Sequence, residues 1–423
     1  MNVIFIGHDL SYVKFYSQIQ TAMSKRIKIT SSHLYFRPSA WLYAKLVLRL
    51  SSFTPCWTRI FRSWEVVPEL DDMIDLRFYP KSSAIDQREK FNRLFGSYYN
   101  YVLDVISNTK CDLAILPGEY RLFEQAALAA LRTLDEPPLI LFFEAGPPGY
   151  VYFDSTGVNA NASFALAGAI NQNTTSHLPD FSLISNSRKF SLISHYSLLT
   201  VDILWLFMAK FTRGLLDLEE YWTAAHNRLR SHEINKNATE SLNLNTGNYI
   251  IFIAQVRNDV NHTHFGISDY MLEQHLFELL SDDENFKLIW RDHPLESSDH
   301  IFLRISKSFP DRVIRMKGMT LQQALTFAEG VVTVNSNGGL EALAAGLPVR
   351  LLGQSYFSKL KGVCDDNEIF STYRKRIRDL GFDETIKHDA ARFLQECFLP
   401  INYRDGDFKN AGLAADFILS SMK

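Results

Sequence analysis

The stretch Val332–Gly353 reads VTVNSNGGLEALAAGLPVRLLG and decides the fold of the second half of the chain. An apolar run, a polar Gly-containing turn, a helical pattern, a second turn and another apolar run follow one another within this stretch. Ser336 is placed to cap the helix, and Gly346, just before Pro348, can take the left-handed conformation that ends it. The pattern predicts a strand, a helix and a second strand, which is typical of a parallel α/β sheet.

The same alternation of short apolar runs and helical patterns extends along the rest of the chain. Further strands are predicted at Val3–Ile6, Leu113–Leu116, Leu139–Phe143, Tyr249–Val256, Phe286–Arg291 and Arg312–Met316. A chain of 423 residues is too long for one ordinary core. The predicted fold class is therefore α/β with two Rossmann-like doubly wound domains. The predicted boundaries are residues 1–185 and 246–400 for the domains, 186–245 for a helical linker and 401–423 for a closing C-terminal helix.

Composition and charge limit the class of protein. The formal net charge of -3 argues against a nucleic-acid partner. Four cysteines lie far apart with no CxxC pair, so the pattern indicates neither a zinc site nor a disulfide framework. The start, MNVIFIGHDL, reads as a buried strand rather than a signal peptide, and the apolar run at Leu198–Phe211 is too short to span a bilayer. We therefore expect a cytoplasmic protein.

The first quarter of the chain is basic and aromatic. Residues 1–110 hold 15 Lys and Arg against 9 Asp and Glu, and Lys25–Trp64 contains no acidic residue. That segment includes the aromatic residues Tyr35, Phe36, Trp41, Tyr43, Phe53, Trp57 and Trp64. Two interpretations remain open: peripheral contact with an anionic membrane or a phosphorylated acceptor, or a solvated basic face over an aromatic core.

The turn at the start of the helix in Val332–Gly353 is the first candidate site. Its exposed amides suit an anion such as a nucleotide phosphate, and Gly338 and Gly339 would let another group approach. Glu341 could accept hydrogen bonds from ribose hydroxyls, or it could simply complement the helix dipole. The residues expected to bind substrate here are Asn335, Ser336, Asn337, Gly338 and Glu341.

Other candidate residues follow the predicted strands, where ligands of doubly wound sheets bind. Arg291, His293 and Pro294 end one strand in the sequence IWRDHPLES, and we expect them to contact substrate. His293 could equally be a buried histidine that bonds a carbonyl. Gln255 and Asp259 follow another strand, and Asp259 could instead cap the next turn.

Glu144 ends a strand of the first domain, in LILFFEAGPPGYVYFD. Taken with IFIAQVRNDVNHTHFG, the HP pair and NSNGGLEAL, this string resembles the capsule-synthesis family of retaining β-Kdo transferases from Gram-negative bacteria. The family has the GT-B fold, so the resemblance implies that the two Rossmann-like domains face a central cleft. It also implies CMP-Kdo as donor, with Asp259 as nucleophile, Glu144 near the reacting centre and His293 at the phosphate.

The resemblance implies a specific reaction and leaves alternatives. The expected function is retaining transfer of Kdo from CMP-Kdo to a glycolipid or polysaccharide acceptor, in capsule or lipopolysaccharide synthesis, with no cofactor and no metal. The alternatives are another GT-B nucleotide-sugar transferase or an epimerase, or a catalytically silent scaffold of capsule assembly. His262 and His264 are interpreted as solvated loop residues rather than metal ligands, and the DGD sequence at Asp405–Asp407 as a turn.

Overall fold

The structure is a computed structural model. It describes residues 1–7, 10–36, 38–46, 48, 53–55, 74–75, 77, 85–107, 110–167, 249–256, 259–284, 287–293, 299–316, 319–402 and 410–422. These residues form two compact units. The first contains Met1–Val158 and Phe398–Lys423, and the second contains residues 159–167 and 249–397 within their described parts.

The first unit is built on a six-stranded sheet. Its strands are β1 (Asn2–Gly7), β2 (Thr30–Tyr35), β3 (Phe53–Pro55), β4 (Leu113–Leu116), β5 (Leu139–Ala145) and β6 (Val151–Asp154). Their order is β3-β2-β1-β4-β5-β6, and every pair is parallel except the antiparallel pair of β5 and β6. The strands β1 and β4 are buried almost throughout, as expected of parallel strands covered on both faces.

Helices cover this sheet through apolar stripes. They are α1 (Leu10–Ser24), α2 (Pro38–Leu46), α3 (Ile85–Ser107) and α4 (Leu122–Arg132). In α3 the buried residues Phe91, Phe95, Tyr98 and Val102 recur every three or four positions, which places them on one face of the helix. That spacing explains why the sequence alone predicts a helix here.

The C-terminal helix Ala411–Ser420 packs against α1 and belongs to the first unit. Its buried face carries Ala411, Ala414 and Ala415, whose small side chains let the two helices approach closely. Arg26 forms an ion pair with Asp416 at 2.5 Å. The chain therefore returns to its first unit at Phe398, while the described residues 159–167 belong to the second unit.

The second unit is built on an entirely parallel six-stranded sheet. Its strands are β7 (Tyr249–Ile253), β8 (Lys287–Arg291), β9 (Val313–Arg315), β10 (Gly330–Thr333), β11 (Val349–Leu351) and β12 (Val363–Cys364), in the order β12-β11-β10-β7-β8-β9. Its helices are α5 (Ser163–Ala167), α6 (Val260–Phe265), α7 (Asp269–Asp282), α8 (Asp299–Ser308), α9 (Leu321–Leu325), α10 (Asn337–Ala344), α11 (Asn367–Leu380) and α12 (Glu384–Cys397). The C-terminal helix is α13.

Both sheets have the strand order 3-2-1-4-5-6 when each is numbered from its own first strand. This is the order of the dinucleotide-binding fold, and ligands bind where it reverses direction, beyond the carboxyl ends of the strands. The reversal lies between β1 and β4 in the first sheet and between β7 and β10 in the second. The predicted fold class of two Rossmann-like domains is confirmed.

Some sequence predictions fall outside the described residues. They are the helical linker at residues 186–245, Pro294, and the turn at residues 405–407. Within the described residues, every helix is too short or too polar to cross a membrane.

Candidate functional site

A pair of amide side chains joins the ends of β7 and β10, at the strand-order reversal of the second sheet. Gln255 donates from Nε2 to Asn335 Oδ1 at 2.6 Å and accepts at Oε1 from the backbone N–H of Asn335 at 3.1 Å. Asn335 also donates from Nδ2 to the carbonyls of Asn261 and Gln354, at 2.7 and 3.0 Å. Both residues were predicted to bind substrate. These bonds favour a different role for the buried Asn335, which holds three loops in place at the edge of the sheet.

Helix α10 begins where the sequence predicts. Ser336 is its N-cap, and the serine hydroxyl accepts from the backbone N–H of Gly338 at 3.3 Å. Gly346 follows the helix with φ of +82°, the left-handed conformation that glycine favours. The predicted cap and stop of this helix are therefore confirmed.

The two glycines at the start of α10 allow close packing. A β-carbon at Gly338 would lie 2.8 Å from Ile253 Cδ1, and one at Gly339 would lie 3.0 Å from Phe357 Cζ. The groups that approach the first turn are therefore side chains of the protein itself. The expectation that both glycines let another group approach is met by the packing of α10 against β7 and the turn after β11.

Asn337, the first residue of α10, is fixed from the turn that follows β11. The hydroxyl of Tyr356 donates to Asn337 Oδ1 at 2.6 Å, and Tyr356 is buried. Asn337 was predicted to bind substrate, whereas Tyr356 was not singled out. The sequence signal that could have identified it is its place in a turn after a parallel strand, next to the predicted anion site.

Glu341 and Arg291 carry opposite charges, and each affects the pKa of the other. Burial raises the pKa of Glu341 to about 7, and the positive charge of Arg291 opposes this shift. Burial lowers the pKa of Arg291, and Glu341 opposes that change in turn. The two side chains thus influence each other's charge, although within the described residues they form no direct ion pair. Gln322 of α9 donates to Glu341 Oε2 at 3.3 Å and was also not singled out by the sequence.

The guanidinium of Arg291 also makes no hydrogen bond to any residue that the structure describes. Its neighbour Asp292 is, by contrast, engaged: it accepts from Trp290 Nε1 at 3.1 Å and pairs with Arg315 at 2.7 Å. His293 follows and is half-buried. Arg291 is therefore a side chain of this strand end that is available to bind an anion.

Asp259 is the N-cap of the short helix α6, where its side chain accepts from the backbone N–H of Asn261 at 3.2 Å. The capping interpretation of this residue is thus met, and Asp259 remains exposed on the same unit as Arg291 and Glu341. His262 and His264 lie within α6 rather than in a loop, and both are half-buried. Among the described residues, no group of three His, Cys, Asp or Glu side chains is arranged to hold a metal ion.

Glu144 lies in the first unit, one residue before the end of β5, and is half-buried. Its Oε1 accepts from the backbone N–H of Ala145 at 2.8 Å. The charge of Glu144 reaches Tyr16, a fully buried residue of α1 whose pKa is raised mainly by burial. The predicted place of Glu144 at a strand end of the first domain is met.

Part of the basic aromatic segment belongs to the core. Tyr35, Phe36 and Tyr43 are buried, and Trp41 is half-buried beneath Lys45, whose Nζ lies 4.9 Å from the ring centroid. For these rings the core interpretation holds. Trp57 and Trp64 lie outside the described residues.

Comparison with known proteins finds a similarity to a family over part of the chain. A family model described as "Capsule polysaccharide biosynthesis protein" matches residues 204–392. The "Capsule polysaccharide export protein KpsS" of Escherichia coli is 26% identical over 126 residues, which is 27% of this chain and 32% of that protein. This chain thus spans about a third of the relative's length.

Solved structures resemble the whole chain only distantly. The β-Kdo 2,7 transferase KpsC of Thermosulfurimonas dismutans is 11% identical with a TM-score of 0.44, and the match covers 100% of both chains. The UDP-GlcNAc 2-epimerase of Neisseria meningitidis is 13% identical with a TM-score of 0.37, and the match covers 100% of this chain and 99% of that one. At these TM-scores the resemblance does not bear on function. The sequence match agrees with the predicted resemblance to a capsule-synthesis family: residues 204–392 of this chain are similar to the capsule polysaccharide biosynthesis protein family.

Proposed function

We propose that this protein is a retaining β-Kdo transferase that moves Kdo from CMP-Kdo to a glycolipid or polysaccharide acceptor. The observation that carries the proposal is the pair of Arg291 and Glu341, whose charges act on each other without direct contact among the described residues. Two opposite charges held apart in this way suit a ligand with an anionic group and hydroxyl groups. A nucleoside monophosphate has both.

The position of this pair supports the same interpretation. Arg291 ends β8, and Glu341 projects from the middle of α10, whose N-terminus follows β10. Helix N-termini and arginine are favourable partners of phosphate, because backbone N–H groups and a guanidinium both donate hydrogen bonds to its oxygens. We propose that Arg291 and the start of α10 bind the CMP phosphate or the Kdo carboxylate, and that Glu341 binds the ribose. His293 is proposed to contact the phosphate.

The chemistry proposed for the transfer has two displacements. In the first, an Asp259 carboxylate oxygen forms a bond to the anomeric carbon of Kdo as the bond from that carbon to the CMP phosphate breaks. In the second, an acceptor hydroxyl displaces Asp259 and loses its proton to Glu144. Two inversions at one carbon give net retention, as in retaining glycosidases. Metal and cofactor are not part of the proposal.

The acceptor and the cellular location are proposed from the basic charge of the first quarter of the chain. A basic first quarter of the chain suits an acceptor or membrane surface that carries phosphate groups, at the inner face of the cytoplasmic membrane. Both lipopolysaccharide and capsule synthesis are candidate pathways, and the similarity of residues 204–392 to the capsule polysaccharide biosynthesis protein family favours capsule.

The experiment that tests the proposal is mass spectrometry of the intact protein after incubation with CMP-Kdo and no acceptor. We expect a mass increase of one Kdo residue, which peptide mapping places on Asp259. The Asp259→Asn variant, which keeps a residue able to cap α6, is the matched control and should gain no mass. Binding of UDP in preference to CMP would favour another nucleotide-sugar transferase or an epimerase. Failure to bind either nucleotide would favour the scaffold.

A further inference from the structure

The turn after β11 contains a buried tyrosine that reaches the start of α10. Tyr356 is 5% exposed, and its hydroxyl donates to Asn337 Oδ1 at 2.6 Å across 19 positions of sequence. Such a short bond from a buried hydroxyl is among the stronger neutral hydrogen bonds in a protein. In the structure, the amide of Asn337 therefore has its oxygen toward Tyr356.

The hydroxyl is held in place by aromatic packing from separate parts of the second unit. The ring of Tyr356 stacks on Phe393 of α12 with centroids 6.2 Å apart, and Phe164 of α5 meets it edge-on at 6.0 Å. Phe357 meets it edge-on at 5.3 Å and also lies under Gly339. Rings packed in this way have few alternative rotamers, so Tyr356 presents its hydroxyl from a rigid base.

The orientation of the Asn337 amide matters for an anion. With Oδ1 bound to Tyr356, the donor group Nδ2 lies on the opposite side of the amide. An amide turned the other way would present its oxygen there and would repel a phosphate oxygen. Ser355, the residue before Tyr356, is also buried, and its hydroxyl bonds to none of the residues that the structure describes. The turn thus carries a polar group for which a ligand would be a suitable partner.

We propose that Tyr356 is a positioning residue of the phosphate site, which acts by fixing the amide of Asn337 so that its N–H groups serve the phosphate. The inference rests on the proposed function, because it needs a nucleotide phosphate at the start of α10. It adds a residue that lies 19 positions beyond Asn337 in the sequence. The proposal concerns binding of the phosphate and not binding of the nucleoside, so the two can be measured separately.

Tyr356→Phe tests this proposal, because phenylalanine keeps the aromatic packing and removes only the hydroxyl. Titration calorimetry measures the affinity of the full-length protein for CMP and for cytidine. We expect Tyr356→Phe to weaken CMP binding about fivefold to tenfold and to leave cytidine binding within about twofold. Asn337→Ala should produce the same selective loss, and the double variant should lose little more than either single variant.

The matched control is Tyr249→Phe. Tyr249 is also buried, and its hydroxyl donates at 2.6 Å to the carbonyl of Ala324, but it begins β7 at the opposite end of the sheet. Removing this hydroxyl should lower the melting temperature without changing the ratio of CMP to cytidine affinity. The proposal is overturned if Tyr356→Phe leaves CMP binding unchanged, weakens both ligands equally, or adds fully to Asn337→Ala. If the wild-type protein binds no CMP, the proposed function itself fails.

Discussion

The two sheets share one strand order, yet their carboxyl edges carry different chemistry at the point where that order reverses. In the first sheet, the ring of Tyr16 packs so closely on Gly7 that an added β-carbon would lie 3.3 Å from Cε2. Nearby, the fully buried Glu124 accepts from the backbone N–H groups of Tyr120 and Arg121, both at 3.1 Å. In the second sheet, Arg291 and Glu341 keep their charges half-buried and apart.

The difference shows which features come from the fold and which depend on the side chains at each edge. The strand order creates a crevice in both units. In the first unit, aromatic packing and a helix cap occupy the edge, and these interactions stabilise the unit. In the second, a carboxyl group is held where burial raises its pKa to about 7, which is unfavourable for the folded protein at neutral pH. A perturbed carboxyl beside an arginine at a ligand-binding edge is a mark of function rather than of stability.

The largest effect is expected from Asp259→Asn. Asparagine caps helices as well as aspartate does, so α6 should persist, whereas an amide cannot form the covalent intermediate. We expect the rate of Kdo transfer from CMP-Kdo to fall on the order of a thousandfold or more. Transfer assays at saturating donor measure this, and circular dichroism checks the fold.

Asp269→Asn is the control for that variant. Asp269 is another exposed carboxylate near a helix start of the second unit, and it pairs with His300 at 3.0 Å. Its substitution should change the transfer rate less than about twofold, because exposed ion pairs contribute little. If Asp259→Asn had wild-type activity, Asp259 would not be the nucleophile, and the contrast between the two edges would be weaker.

The opposite edge of the second sheet should respond in stability alone. Glu329, just before β10, is buried and pairs with Arg374 at 3.2 Å and Arg378 at 2.8 Å. Glu329→Gln removes one of the two carboxylates that pair with the buried guanidinium of Arg374, and Asp283 at 3.2 Å remains. We therefore expect a loss of about 2 kcal/mol in the free energy of unfolding. Urea denaturation measures it.

The comparison variant for this edge is Glu384→Gln, since Glu384 is an exposed residue that pairs with Lys387 at 3.7 Å. It should change stability by less than about 0.5 kcal/mol. Affinity for CMP should be unchanged in both variants. A loss of CMP affinity in folded Glu329→Gln would show that the two edges are coupled, contrary to the division of labour inferred here.

The sequence predicts the skeleton of the second sheet well because buried parallel strands appear as uninterrupted apolar runs. The run at Tyr249–Ile253 and the cap at Ser336 were both located from sequence. The partners of side chains were not, because Tyr356 reaches Asn337 only through the packed turn after β11. Gly338 illustrates the same limit: a glycine next to a cap signals close approach but does not name the group that approaches.

The first unit was harder to predict for a different reason. Its C-terminal helix, Ala411–Ser420, was recognised as amphipathic, but the surface that it covers depends on the path of the chain. Packing on α1 returns residues from Phe398 onward to the first unit, and no local pattern encodes that return. The antiparallel strand Val151–Asp154 was missed because it follows Glu144 after a short turn that reads as a loop.

The smallest expected effect, and the one that most sharpens the contrast between the edges, comes from Glu341→Gln. The pKa of Glu341 rises from 4.5 to about 7 on folding, so the folded protein holds the proton more tightly than the unfolded chain. The resulting destabilisation is absent below pH 4.5, grows as the pH rises and is complete above about 7. Glutamine removes it. Thermal denaturation should therefore show Glu341→Gln more stable than wild type by on the order of 1 kcal/mol at pH 8, after allowance for solvent screening of a half-buried group. At pH 4.5 most of this gain should disappear.

In the wild type, CMP affinity should increase as the pH rises through about 7, because the ionised carboxylate accepts hydrogen bonds from the ribose hydroxyls. The variant should lose this dependence. Equal stability of the two proteins at pH 8 would mean that the ionised carboxylate of Glu341 does not destabilise the folded protein. The carboxyl edge of the second sheet would then resemble that of the first.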